Sequence, residues 1–151
     1  MDLPPSLLAI TTFTLHKVAV IHRRAVADRL SAEMGFGLWP FAVLSALDDF
    51  GPATQRLIGD RLGLDPSDMV RLMDDLIGAR LAERERDPAD RRRYQVTLTS
   101  AGRAALERAR RVIADVERDT LAPLTADERE QLRGLALKLF TRQPGGERPR
   151  S

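Results

Sequence analysis

The 151-residue sequence contains no cysteine, and aromatic residues make up only 5% of it. Without thiols, the chain can form no disulfide, no thiolate metal site and no thiol-based redox sensor. No uninterrupted apolar run is long enough to span a bilayer. The first residues, MDLPPSLLAITTFTLHK, lack the basic start and small-residue cleavage site of a secretory signal. We therefore expect a cytoplasmic protein.

Patterns typical of catalysis and of metal binding are also missing. The two histidines, His16 and His22, are six residues apart on a predicted helix. That spacing places them about 240° apart around the helix axis, so they cannot share a metal ion directly. The segment 59–63 lacks the Gly-Lys-Ser/Thr ending of a phosphate-binding loop, and no nucleophile stands beside a base. The sequence thus predicts a protein that is not an enzyme and that uses no metal and no cofactor.

The composition is typical of a folded domain: 43% of residues are hydrophobic and 30% are charged. This length predicts one domain over 1–151 with a core of its own. Apolar residues at three-and-four spacing predict a long first helix, capped by Ser6 and ended near Met34 by the glycines that follow. The tail 143–151, QPGGERPRS, is predicted to be disordered.

Three shorter helices are predicted next. The first covers 38–50, the second runs from a cap at Thr54 to about residue 62, and the third covers 66–79 with Asp65 as its N-cap. Their apolar stripes predict the following inward-facing residues: Val43, Leu44, Leu47, Leu57, Ile58, Leu62, Met69, Val70, Met73, Leu76 and Ile77.

Two strand-like runs, 81–86 and 93–98, flank a polar loop that ends in three consecutive arginines. A short hairpin buries little surface, so an arginine-rich tip favours contact with something anionic. A helix over 101–121 follows, capped by Thr99 or Ser100. Thr-Ala-Asp-Glu, 125–128, is a capping box that begins a last helix over 126–141.

The predicted order is therefore α-α-α-α-β-β-α-α, in which a helix–turn–helix precedes a β-hairpin, as in a winged helix. The sequence resembles the MarR family of bacterial transcription regulators over about 38–102. The match is strongest at LGLDPSDMVRLMDDL (62–76) and RDPADRRRYQVTLTSAG (86–102). The family's D-x-R is present as Asp90-Arg91-Arg92, and its T-x-x-G as Thr99-Ser-Ala-Gly102.

The resemblance implies a mainly α fold with a small β-hairpin: a winged-helix lobe over about 38–100 and dimerisation helices over about 6–34 and 101–141. It further implies a homodimer that binds a pseudo-palindromic double-stranded DNA operator. In such proteins the recognition helix enters the major groove and the wing tip reaches the minor groove. Many of them are repressors that release DNA when a small, often aromatic, ligand binds. We therefore expect a sequence-specific transcriptional regulator.

On the predicted recognition helix, Ser67 and Asp68 lie in the first turn, where side chains meet base edges and phosphates. Arg71 lies one turn further along the same face and can bind guanine O6 and N7 in a bidentate manner. The alternatives are that Ser67 is a solvated helix start and that Arg71 forms an intrahelical pair with Asp74 or Asp75. Asp68 and Asp75 are acidic where the family often has other residues, which bears on how tightly DNA is bound.

In the wing, we assign Arg92 to the minor groove, whose narrow A·T tracts concentrate negative potential. Asp90 then braces the loop, either by pairing with Arg92 or by capping the turn. Arg91 and Arg93 are predicted phosphate contacts, and Arg84 and Arg86 are further candidates. The alternative is an ordinary solvated charge run.

Four residues, Phe13, His16, Trp39 and Phe41, are candidates to line a cleft between the first helix and the lobe, where a flat aromatic effector would fit. The alternative is that they pack in the core. A second possible function is a winged helix that docks a protein instead of DNA, with Asp68, Asp74 and Asp75 facing a basic partner.

Overall fold

The computed structural model describes residues 3–142, which are mainly helical with one two-stranded antiparallel sheet. The predicted fold class is thereby confirmed. The elements, in chain order, are α1 (Pro5–Leu8), α2 (Thr11–Met34), α3 (Leu38–Phe50), α4 (Gln55–Leu62), α5 (Pro66–Gly78), β1 (Ala82–Arg86), β2 (Tyr94–Leu98), α6 (Ser100–Thr120) and α7 (Ala126–Phe140).

The chain divides into two compact units, and the division falls between Val116 and Glu117, inside α6. The first unit contains α1 to α5, the hairpin and most of α6, and the second contains the end of α6 together with α7. That the whole of 1–151 is one domain stays a prediction. The predicted disordered tail, 143–151, lies outside the described residues.

Two clusters of buried apolar side chains hold the first unit together. The larger cluster joins α3, α4, α5, the hairpin and α6, and it contains Val43, Leu44, Ala46, Leu47, Ala53, Ile58, Met69, Met73, Leu76, Ala82, Val96 and Leu106. The smaller one joins α2 to α6 through Val26, Leu30, Ala109, Val112 and Val116. Each large side chain buried in this way stabilises the fold by roughly 1.5–3 kcal/mol. Phe36 and Phe41 pack against both clusters, so the lobe is fixed relative to α2 and α6.

The helix–turn–helix formed by α4 and α5 follows from its capping residues. The Thr54 hydroxyl accepts a hydrogen bond from the Leu57 amide (3.3 Å) and begins α4. Gly63, with φ +65°, ends that helix in the left-handed conformation that glycine adopts easily. Asp65 caps α5. The two helices are in contact beside Gly59: a Cβ there would lie 3.5 Å from Cγ of Met69, an ordinary van der Waals distance.

The two strands pair in antiparallel register from Ala82 opposite Leu98 to Arg86 opposite Tyr94. Ala53 adds a single bridge to Val96, with N–O distances of 3.2 and 2.8 Å. Directly opposite residues share one face of a sheet. The face that contains the buried residues Ala82 and Val96 is therefore the one that packs against the helices. The wing is thus fixed at its base, while its tip projects from the lobe.

The prediction of one unbroken first helix capped by Ser6 is wrong. Ser6 lies inside α1, and the chain breaks before α2, where Ile10 is extended (φ −87°, ψ 104°). The Thr14 hydroxyl lies 3.0 Å from the carbonyl oxygen of Leu8 and 3.4 Å from that of Ile10. A side-chain hydroxyl that binds backbone carbonyls competes with the helical hydrogen bonds, and the β-branched run that starts at Ile10 weakens them further.

Two of the predicted inward-facing residues, Leu57 and Val70, are 42% and 46% exposed. Each is the direct neighbour of a core residue. Leu57 precedes Ile58, which is completely buried, and Val70 follows Met69, which is 2% exposed. Adjacent helical residues lie about 100° apart around the axis, so on a narrow contact only one of the two faces the core.

Within residues 3–142, no single helix is long and apolar enough to cross a membrane. Only α2 and α3 taken together meet the length and composition required, and the chain bends by 82° between them.

Candidate nucleic-acid interface

The first turn of α5 is ordered by Asp65. Its Oδ1 accepts hydrogen bonds from the Ser67 amide (2.8 Å) and from the Ser67 hydroxyl. The hydroxyl bond, followed by the amide bond, lowers the pKa of Asp65 below its usual value, because both bonds favour the ionised carboxylate. The proton of Ser67 is therefore held by Asp65, and the lone pairs of the hydroxyl oxygen are left to accept a hydrogen bond from a ligand.

Arg71 forms an intrahelical ion pair, but with a residue that the sequence did not suggest. Its Nη2 donates to Oδ1 of Asp68, three residues earlier, and not to Asp74 or Asp75. The Arg71 side chain is 78% exposed and the Asp68 side chain 56% exposed. Both groups therefore stand on the open face of the recognition helix.

Arg84 on β1 connects three elements of the lobe. Its Nη2 lies 3.1 Å from Oε1 of Gln55 at the start of α4 and 3.4 Å from Oδ1 of Asp74 on α5. Since Arg84 pairs with Val96 in the hairpin register, it lies on the face turned toward the helices. Sequence reasoning named Arg84 only as a candidate phosphate contact, which stays a prediction. It missed the structural role because only the strand register brings Gln55 and Asp74 to Arg84.

The wing loop is shaped by two aspartates that bind backbone amides. Oδ1 of Asp90 accepts from the Arg92 amide (3.0 Å), and Oδ1 of Asp87 accepts from the Ala89 amide (2.9 Å). The carbonyl oxygen of Asp90 also accepts from the Arg93 amide (2.9 Å). Of the two roles considered for Asp90, the structure has the turn cap and not a side-chain pair with Arg92.

Arg86 is held within the wing. Its guanidinium lies 4.2 Å from the centre of the Tyr94 ring, and its Nη1 donates to the carbonyl oxygen of Arg91 (2.9 Å). Arg86 therefore braces the base of the loop, and a direct contact with DNA stays a prediction for it.

Arg91, Arg92 and Arg93 are exposed at the wing tip. Within the part of the chain that the structure describes, their guanidinium groups form no hydrogen bond and no ion pair. The three guanidinium groups outnumber the two carboxylates of this loop, Asp87 and Asp90, so the loop keeps a positive net charge that attracts a polyanion. A shallow cavity of about 480 Å³ separates this wing from the start of α4, and Arg56 and Arg93 contribute to its lining together with Asp60 and Asp87.

The model of the MarR family matches residues 34–93, a range that contains both α5 and the arginine-tipped wing loop. An HTH-type transcriptional regulator of Bacillus subtilis, YcgE, is 30% identical over 109 residues, which are 71% of this chain and 71% of that protein. The chain belongs to the MarR family of transcriptional regulators. Its family is thus one of regulators and not of enzymes.

Solved structures of the family share the architecture of this MarR family protein. A mutant of MarR from E. coli, crystallised in complex with operator DNA, is 26% identical, with a TM-score of 0.70 over 92% of this chain and 99% of that one. CouR from Rhodococcus jostii, bound to p-coumaroyl-CoA, is 25% identical, with a TM-score of 0.72 over 88% of this chain and 93% of that one.

The four residues predicted to line an effector cleft have different surroundings in this MarR family protein. Phe13 is half-buried with the Lys17 ammonium 5.4 Å from its ring centre, and His16 is exposed. Trp39 is 52% exposed, whereas Phe41 packs in the core. The alternative of core packing thus holds for Phe41, and the effector role of the four residues stays a prediction.

A cleft of about 550 Å³ lies in the first unit between the end of α2, the end of α5 and α6. None of the four predicted residues lines it. Its walls are mostly apolar, with one acid and one base, and they include Phe36, Pro40, Leu76, Leu81, Asp75 and Arg108. Prediction from sequence missed this cleft because its walls come from segments that are far apart along the chain.

Proposed function

We propose that this MarR family protein is a homodimeric repressor that binds a specific double-stranded operator, with α5 in the major groove and the wing in the minor groove. The observation that carries this proposal is the wing tip, which Asp90 holds in shape. Within residues 3–142 the exposed guanidinium groups of Arg91, Arg92 and Arg93 have no hydrogen-bond or ion-pair partner. A rigid loop with free guanidinium groups binds a phosphate backbone with little loss of conformational entropy.

The relative crystallised with operator DNA supports the nucleic acid as the ligand. The acids on the recognition helix also argue against the protein-docking alternative. Asp68 is paired with Arg71, and Asp74 with Arg84, so two of the three carboxylates that would attract a basic partner are already compensated.

A regulator of transcription acts where the chromosome is, which makes the bacterial cytoplasm its expected location.

Dimerisation is proposed from apolar surface that the single chain leaves exposed. On α2, Leu15, Val18 and Ile21 are between 40% and 53% exposed, and on α7 Leu135, Leu137, Leu139 and Phe140 are between 50% and 70% exposed. Exposed apolar patches of this kind mark protein interfaces.

An effector ligand that releases the DNA is also part of the proposal. The structure of CouR with p-coumaroyl-CoA supports a small-molecule ligand. In this chain, two candidate sites for such a ligand are the mostly apolar cleft beside Phe36 and the exposed ring of Trp39 next to Pro40.

The experiment begins with selection of bound fragments from a random duplex library by the full-length protein. We expect one pseudo-palindromic sequence to be enriched. The logarithm of its binding constant should fall linearly with the logarithm of salt concentration, with a slope of roughly −0.9 per phosphate contact. Because each substitution changes both protomers of the dimer, Arg91→Ala and Arg93→Ala should each reduce the magnitude of that slope by roughly 1.8, or 0.9 per wing.

Arg92→Ala should weaken the preference for A·T pairs at the wing position, as expected for a side chain in a narrow minor groove. Arg111→Ala is the matched control, because Arg111 is an exposed arginine on α6 and its removal changes the net charge equally. Failure to enrich any sequence, or equal effects of Arg111→Ala and the wing variants, would contradict the proposal.

A further inference from the structure

The start of the recognition helix contains two carboxylates, each bound to a hydrogen-bond donor a few residues later. The pair of Asp65 and Ser67 is explained by helix capping, because Asp65 is the N-cap of α5. The pair of Asp68 and Arg71 needs a different explanation. Within residues 3–142, the hydrogen-bond partner of the Asp68 carboxylate is Arg71, so Asp68 caps nothing.

The pair of Asp68 and Arg71 does little for stability. An exposed ion pair three residues apart on a helix contributes very little to folding, and these two side chains are 56% and 78% exposed. The first turn of α5 is also already capped by Asp65. Asp68 is also an acid in the first turn of α5, where its charge interacts favourably with the helix dipole, but that interaction requires no bond to Arg71. The effect of the bond itself should therefore be sought in what it does to Arg71.

Arginine carries five N–H donors in a fixed, planar arrangement, and guanine presents O6 and N7 as two neighbouring acceptors in the major groove. Asp68 accepts one N–H of Nη2 of Arg71. The second N–H of Nη2 and its neighbouring donor on Nη1 or Nε then form the two-donor edge that can face guanine. A long, exposed arginine side chain otherwise samples many rotamers and loses that freedom when it binds a base.

We infer that Asp68 is a positioning residue that holds Arg71 in the orientation needed to read a guanine, so that the two residues act as one specificity element. The inference rests on the proposed function and deepens it. It gives an acid on a DNA-facing helix a favourable role: Asp68 lowers affinity for any duplex through repulsion of phosphates but raises the preference for the right one.

The test uses the full-length protein, the duplex that it selects from a random library, single-base-pair variants of that duplex and an unrelated duplex of equal length. Arg71→Ala should abolish discrimination at one G·C pair, a loss of about 5- to 150-fold for a bidentate contact. Asp68→Ala should lower discrimination at that same pair by about fivefold, the factor that corresponds to half the rotamer entropy of arginine. It should at the same time tighten binding to the unrelated duplex.

Two further variants separate orientation from simple charge. Asp68→Glu keeps a carboxylate within reach of Arg71 and should retain most of the discrimination. Asp75→Ala removes an equal charge from the same helix without touching Arg71, and should change the affinity for all duplexes by one common factor.

The decisive measurement is a double-mutant cycle. In the Arg71→Ala background, Asp68→Ala should cause no further loss of discrimination. An additive loss would mean that Asp68 reads a base independently, and would overturn the inference. So would an Asp68→Ala variant that behaves like Asp75→Ala, or one whose discrimination is unchanged. If the wild-type protein selects no duplex, the proposed function fails first and the inference fails with it, whereas normal selection with independent effects of Asp68 and Arg71 refutes the inference alone.

Discussion

Gly102, in the first turn of α6, lies directly against the carbonyl oxygen of Leu81, just before β1: a Cβ on Gly102 would be 1.9 Å from that oxygen. Thr99 completes the contact. Its hydroxyl lies 2.7 Å from the carbonyl oxygen of Arg80 and 3.1 Å from that of Leu81, and it accepts from the Gly102 amide (2.9 Å). The T-x-x-G motif thus fastens the start of α6 to the start of the wing.

Substitution of Gly102 should therefore be costly. A Cβ that meets a backbone oxygen forces α6 away from the hairpin, so we expect Gly102→Ala to lower the free energy of unfolding by about 1–3 kcal/mol. Urea denaturation followed by circular dichroism measures this change. Gly78→Ala is the matched control, since a Cβ at Gly78 meets nothing within 4 Å, and it should leave stability unchanged or slightly higher. Equal stabilities of the two variants would contradict the role given to the contact.

A second anchor joins the end of α3 to α6. Oδ1 of Asp48 accepts from Nη1 of Arg103 (2.8 Å), and Oδ2 accepts from Nη2 of Arg110 (2.9 Å). The hydrogen bonds that Arg110 donates to Glu107 and, next, to Asp48 raise the pKa of Arg110 above its usual value. Since the Asp48 side chain is only 19% exposed, we expect Asp48→Ala to destabilise the protein by roughly 1–2 kcal/mol.

The same denaturation assay with Asp49→Ala provides the comparison for Asp48→Ala. Asp49 is the neighbouring acid, but its side chain is 61% exposed and lies 3.8 Å from Arg110. Asp49→Ala should lower the free energy of unfolding by well under about 1 kcal/mol, because exposed ion pairs contribute little to stability. A larger loss for Asp49→Ala than for Asp48→Ala would show that the anchor has been assigned to the wrong residue.

Local chemistry made much of this fold predictable from sequence. The caps at Thr54 and Asp65 and the capping box at Thr125 each depend on residues within a few positions of one another, and all three were predicted and are present. The partner of Arg71 depends on more than local spacing. Asp74, a predicted candidate, is engaged by Arg84 from a strand ten residues away, a tertiary contact that local spacing does not reveal. Asp75 and Asp68 are both within one turn of Arg71, and spacing alone did not distinguish between them.

For Asp90→Ala, the charge of the loop and the shape of the loop predict opposite changes in operator affinity. Removal of an acid beside three arginines should strengthen DNA binding if only charge matters. Asp90→Ala also removes the hydrogen bond to the Arg92 amide, and loss of such a bond costs about 1 kcal/mol. We expect operator affinity to fall by about fivefold for each of the two wings of the dimer, the factor that corresponds to that free energy.

Asp90→Asn is the matched variant, because an amide oxygen can still accept from the Arg92 amide while the negative charge is removed. Its affinity for the operator should equal or exceed that of the wild type. Titration of a labelled operator with both variants measures the difference, and a gain in affinity for Asp90→Ala would show that the shape of the loop does not matter.

The exposed apolar residues of the end helices predict the state of the protein in solution. Light scattering should give a mass of twice the 16.8 kDa of one chain. Leu137 on α7 is 50% exposed, and Leu137→Glu would place an unpaired carboxylate in the proposed interface, where truncation of a central residue costs at least about 2 kcal/mol. We expect a dimer dissociation constant that is larger by roughly 30-fold or more.

Leu57→Glu is the control: Leu57 is 42% exposed but lies on α4 in the helix–turn–helix, so the mass should not change. A monomeric wild-type protein, or equal dissociation in both variants, would refute an interface built from the end helices.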